Sequence, residues 1–82
     1  MSALSLMKLD EFIQKFAEQF YDTDASEFTA DCSYKDLAEW SSLTAMSIIA
    51  FIKTDCGKSI TAREIRSCET IEDLYNHVQG MR

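Results

Sequence analysis

Proline is absent from this 82-residue chain and glycine occurs only twice, so the usual helix breakers are almost missing and a helix-rich domain is expected. No apolar run approaches the roughly 18 residues that a membrane-spanning helix needs. The first seven residues lack the basic flank and long apolar segment of a secretion signal, so a cytoplasmic location and no membrane span are expected. The three cysteines, Cys32, Cys56 and Cys68, are odd in number and none forms a close pair. That spacing argues against a disulfide framework and against a zinc site, and no metal is expected. A basic excess is also missing: the formal charge is -6. Nucleic-acid binding rests on basic groups that displace counterions, so no nucleic-acid partner is expected.

Size excludes more. One domain, residues 1–82, has room for a core that rarely supplies more than about 3 to 5 kcal/mol of net stability, which leaves little to support a deep catalytic cleft. His77 is the one histidine, near the end of a predicted helix, and reads as a solvent-facing residue beside the helix dipole. No third group is identifiable to orient it as the base of a serine nucleophile. A non-catalytic protein is expected, a carrier or an interaction module.

The charge is unevenly placed. Residues 1–39 hold nine acids against Lys8, Lys15 and Lys35, whereas residues 40–82 hold five acids against five basic residues, so the whole imbalance precedes residue 40. Such a field steers basic protein partners as well as keeping the chain in solution.

Apolar spacing then sets out the helices. Leu9, Phe12, Ile13, Phe16, Ala17 and Phe20 recur at three- and four-residue steps and predict a first helix over 5–21. From Asp22 to Glu39 the pattern dissolves into a long polar loop, with Phe28, Tyr34, Leu37 and Trp40 spaced as anchors onto the bundle. A central helix over 42–56, the most buried of the set, carries a row of Leu43, Met46, Ile49 and Ile52, widened by Ile48 and Phe51. Gly57 supplies the left-handed residue after its end. Thr61 before Glu64 and Thr70 before Asp73 are capping patterns that start two more helices, a short one over 62–67 and another over 71–79. The expected fold is all-α: three main helices and one short one in a small bundle, with a long first loop.

At Ser41-Ser42 the polar approach meets the central helix. A hydroxyl at the N-cap accepts a bond from an unpaired first-turn amide, so one serine caps and the other is free. A free serine there faces the positive end of the helix dipole, which favours a phosphate ester.

The stretch Trp40-Ser41-Ser42-Leu43-Thr44-Ala45-Met46-Ser47-Ile48-Ile49-Ala50-Phe51-Ile52, followed by Asp55-Cys56-Gly57-Lys58-Ser59-Ile60 and Thr70-Ile71-Glu72-Asp73-Leu74-Tyr75, resembles an acyl carrier protein. The family's Asp-Ser-Leu signature falls on Ser41-Ser42-Leu43, with Ser41 in the place of the aspartate. The resemblance implies that Ser42 bears a covalent 4′-phosphopantetheine arm, whose thiol holds acyl intermediates as thioesters for a specialised lipid or secondary-metabolite pathway. The implied partners of this monomer are a phosphopantetheinyl transferase and acyl-loading and acyl-transfer enzymes. Family members of fatty acid biosynthesis dock through acids on the helix after the serine, where this chain has Thr44, Ser47, Lys53 and Thr54. Partners are therefore expected to read Leu43, Met46 and Ala50 together with the acidic loop. A peptidyl or aminoacyl carrier, or a carrier-like adaptor without a prosthetic group, are the alternatives.

Overall fold

The computed structural model describes residues 7–81, and among them there are four α-helices and no strand: α1 Leu9–Ala17, α2 Ser42–Phe51, α3 Ala62–Ser67 and α4 Ile71–Gln79. The all-α bundle of three longer helices and one short one agrees with the expectation. The first helix is shorter than the apolar spacing suggests. Its regular part stops at Ala17, and two further turn bonds, from the Gln19 amide to the Phe16 carbonyl and from the Phe20 amide to the Ala17 carbonyl, bring Phe20 into the core. The expected start at Ser5 lies outside the described residues.

α1 contributes Phe12 and Phe16, both fully buried, and Phe16 is the hub of an aromatic cluster. Its ring lies 5.6 Å from Phe20, 6.1 Å from Phe28 and 5.4 Å from Tyr34. Phe12 continues the cluster to Phe51 of α2 at 5.3 Å and to Tyr75 of α4 at 5.4 Å. Each fully buried aromatic of this kind contributes about 3 to 5 kcal/mol against truncation to alanine, as much as the net stability of a small domain.

The loop holds to the bundle through the anchors its sequence predicts. Phe28 and Tyr34 are buried, Leu37 and Trp40 half-buried, and two 3₁₀ turns, Ala25–Glu27 and Tyr34–Asp36, shape it locally. Its backbone also completes α4. The first-turn amides of a helix have no intrahelical acceptor. Here the Ile71 and Glu72 amides donate to the carbonyls of Cys32 and Ala30 at 3.2 and 2.9 Å.

α2 departs from its expectation in two ways. The regular helix ends at Phe51, and Ile52–Cys56 form one wider π-helical turn that closes on Gly57, whose φ of 70° is the left-handed conformation foreseen for it. More consequentially, α2 is not the most buried helix. Only Ile48 and Phe51 of its ten residues are buried, joined by Ile52 in the π turn, whereas Leu43 and Met46 are 77% and 65% exposed. The front of its apolar row therefore lies on the surface and not in the core.

α3 and α4 begin as predicted. Thr61 Oγ1 accepts the Glu64 amide at 3.2 Å while Glu64 Oε1 accepts the Thr61 amide at 2.8 Å, and Thr70 and Asp73 repeat the reciprocal pair. His77 is not the free solvent-facing residue expected. It is half-buried, and its Nε2 lies 2.9 Å from Glu64 Oε2, which couples α4 to the cap of α3.

Tyr34 fastens α3 to the rest. Its hydroxyl donates to the carbonyl of Ile65, with the carbonyl of Cys68 at 3.3 Å, and burial pushes its phenol well above the usual tyrosine range. Tyr34→Phe leaves those carbonyls without a donor. The expected loss is about 1 to 3 kcal/mol, read as a lower urea midpoint with unchanged m-value.

Candidate functional site

The head of α2 divides its two serines as capping chemistry requires. Ser41 has extended backbone angles, and its Oγ accepts the Thr44 amide at 3.3 Å and lies 3.2 Å from Thr44 Oγ1. Ser42 is the first helical residue and exposed, and its hydroxyl has no hydrogen-bond partner among the described residues.

Behind the serines stands a residue that sequence reasoning missed. Glu39 accepts the Tyr21 amide at 2.7 Å on Oε2, and the Asp22 amide, the Thr23 amide and the Thr23 hydroxyl at 2.9, 3.0 and 2.8 Å on Oε1. The Glu39 carbonyl in turn accepts Thr44 Oγ1 at 3.0 Å. One residue thus clasps the chain after α1 to the first turn of α2. These donors, the Tyr21 amide foremost, hold the Glu39 carboxyl below the usual carboxylate range. No local signal could have found the clasp, because its partners lie 16 to 18 residues away in sequence.

Two grooves flank Ser41. Toward α3 lies one of ≈ 230 Å³, lined by Trp40, Ser41, Ser42, Ala45, Ala62 and Arg66. Toward the chain after α1 lies one of ≈ 320 Å³, whose walls include Tyr21, Glu39, Leu43 and Thr44. Tyr21 is 92% exposed, so among the described residues the exposed large apolar side chains are Tyr21, Leu43 and Met46. Leu43, Met46 and Ala50, expected as partner-reading residues, are all exposed on α2. The acidic loop reaches this surface through Glu39.

Other chemistry is sparse. Cys68 is buried, Cys32 and Cys56 are half-buried, and burial pushes all three thiols up, away from the reactive thiolate. Among the described residues no cluster of three or more histidine, cysteine or acidic side chains is placed to hold a metal ion, and no helix is long and apolar enough to cross a membrane. Among the described residues no serine or cysteine is hydrogen-bonded to the imidazole of the His77–Glu64 pair. Comparison with protein-family models, curated proteins and solved structures finds no match for this chain.

The clasp has a pH signature. A carboxyl held lower in the fold than in the unfolded chain contributes stability that is complete above about pH 4.3 and is lost as pH falls through the folded value. Glu39→Gln therefore lowers Tm at pH 7. The gap between variant and wild type narrows as the pH is lowered below about 4, measured by thermal melts across an acid series.

Proposed function

We propose that this chain is an acyl carrier domain whose Ser42 hydroxyl is esterified by 4′-phosphopantetheine. The observation that carries the reading is the division of labour at the head of α2. Ser41 is committed to the cap, and Ser42 is left exposed at the first helical position, its hydroxyl without a hydrogen-bond partner among the described residues.

The residues present fit the group. The first-turn amides of Ser42 and Leu43 have no intrahelical acceptor, and the positive end of the helix dipole favours an anionic ester beside them. A transferase would bring the Ser42 oxygen onto the phosphorus that carries the pantetheine chain of coenzyme A. The serine proton goes to a base of that enzyme, and the nucleotide bisphosphate leaves as the old phosphoanhydride breaks. The arm, once attached, supplies the thiol that holds an acyl group. The chain's own cysteines stand apart from this chemistry.

Partner recognition in this reading falls on the exposed apolar side chains Leu43 and Met46, with Ala50, beside a groove that carries the Glu39 carboxylate. An enzyme surface with an apolar contact and basic residues around it complements them. The same exposed apolar surface is what an adaptor without a prosthetic group would need, which makes that the second reading.

Intact mass after co-expression with the phosphopantetheinyl transferase of the chain's own organism separates the two. The expected result is a gain of one phosphopantetheinyl group in the wild type and none in Ser42→Ala, with the variant's stability changed by no more than about 0.5 kcal/mol, as for an ordinary surface substitution. No gain in the folded wild type would leave the adaptor. Ser41→Asp keeps a capping acceptor before the helix, and restores the acid of the family signature. It is expected to load faster than the wild type with a transferase of broad specificity, measured as the initial rate of mass conversion.

A further inference from the structure

The first helix has a second apolar stripe. Ile13 and Ala17 each follow a core residue, Phe12 and Phe16, and with Asp10 they recur at steps of three and four beside the buried row. A groove of ≈ 270 Å³ separates this stripe from the 3₁₀ turn Ala25–Glu27. Its apolar lining is Ile13, Ala17, Ala25 and the edge of the buried Phe28. The groove stays open because Ala17 and Ala25 end at a methyl group, where a longer side chain would fill it.

The charged part of the lining is Asp10 and Glu11. Among the described residues no basic side chain forms an ion pair with either. Glu11 Oε1 accepts the Lys8 amide at 3.1 Å, whereas the Asp10 carboxylate has no hydrogen-bond partner among the described residues. Asp24 and Glu27, both exposed, bracket the turn and add to the negative field. The helix dipole accounts for acids in the first turn of α1. It does not account for an apolar groove left open beside them.

We infer that this groove is a docking site for a basic segment of a protein partner, taking one arginine whose stem lies on Ile13, Ala17 and Phe28 and whose guanidinium meets Asp10 and Glu11. An arginine side chain joins an apolar stem to a planar donor fork that matches carboxylates, so one residue satisfies both parts of the lining. Size agrees: the groove is below the roughly 300 to 1,000 Å³ of sites for small organic ligands, and suits one or two side chains. The carboxylates repel phosphates, which excludes nucleic acid and an anionic lipid surface. The inference goes beyond the carrier reading and stands on different residues, because this groove shares no lining residue with the two at the head of α2. A partner held here therefore tethers the chain without competing for Ser42 or Leu43.

The probe is the tetrapeptide acetyl-Leu-Arg-Arg-Leu-amide, titrated into the ¹⁵N-labelled full-length chain, with acetyl-Leu-Glu-Glu-Leu-amide as control. The expected result is saturating amide shifts at Ile13, Ala17 and Ala25 with the arginine peptide and none with the acidic one. Ala25→Leu fills the groove at constant charge and is expected to abolish the shifts at Ile13 and Ala17. Asp10→Asn is expected to weaken binding by about threefold, within the range of an exposed ion pair. Ser42→Ala should bind as the wild type does, and thermal melts check that each variant is folded. Shifts centred on Leu43 and Ser47, shifts that persist in Ala25→Leu, or no shift at millimolar peptide would each overturn the docking site. None of these outcomes bears on whether Ser42 is loaded, so this inference and the carrier reading fail separately.

Discussion

The buried phenol of Tyr34 is the contact on which the arrangement around Ser42 depends. Its ring packs edge-on against Phe16 of α1 and 5.0 Å from Trp40, and its hydroxyl donates to the Ile65 carbonyl in α3. α3 has six residues and one buried side chain, Ile65. A helix that short is not stable by itself, because nucleation costs more than so few hydrogen bonds return. It is held from outside: by Tyr34 and Lys35 at its C-terminal end, and by the Glu64–His77 pair at its start. The groove beside Ser42 takes Ala62 and Arg66 from this helix and Trp40 from the segment leading into α2. All three sit where the Tyr34 contacts put them.

Features that act within one turn of chain could be read from residue order alone. The threonine caps of α3 and α4, the serine cap of α2 and the left-handed Gly57 each follow from the chemistry of a residue and a neighbour three or four positions away. The loop anchors Phe28 and Tyr34 were also legible, as isolated bulky apolar residues in a polar stretch have few uses other than the core. What escaped is non-local. Glu39 clasps residues 21–23, and His77 meets Glu64 thirteen positions away. Arg66 joins Ser42 across the gap between two helices. Such pairings are set by tertiary packing, and no spacing rule contains them.

The misreading of α2 has a different cause. Helical periodicity shows that apolar residues share a stripe, and it is blind to what the stripe faces. Leu43, Met46, Ile49 and Ile52 do share one. The back of it packs against Phe12 and the core through Phe51 and Ile52, while Leu43 and Met46 at the front are exposed. Full burial of a leucine or methionine side chain is worth about 1.5 to 3 kcal/mol. In a domain whose margin is of that order, leaving two of them in water forgoes a large share of the stabilisation open to the fold. A partner that covers them recovers it at the interface. That places the proposed recognition function in the same residues that break the core pattern.

Charge around Ser42 completes the argument. The chain before residue 40 carries the whole net charge of -6, and a uniform acidic field would repel any phosphate placed near it. At physiological ionic strength, however, exposed charges are screened beyond about 8 Å. Each groove is then governed by its own lining and not by the total. On one side that lining contains Glu39, with Tyr21 and Leu43. On the other it contains Arg66, with Lys35 at the Arg66 carbonyl. Under the carrier reading, basic partners are steered to the face that carries Glu39.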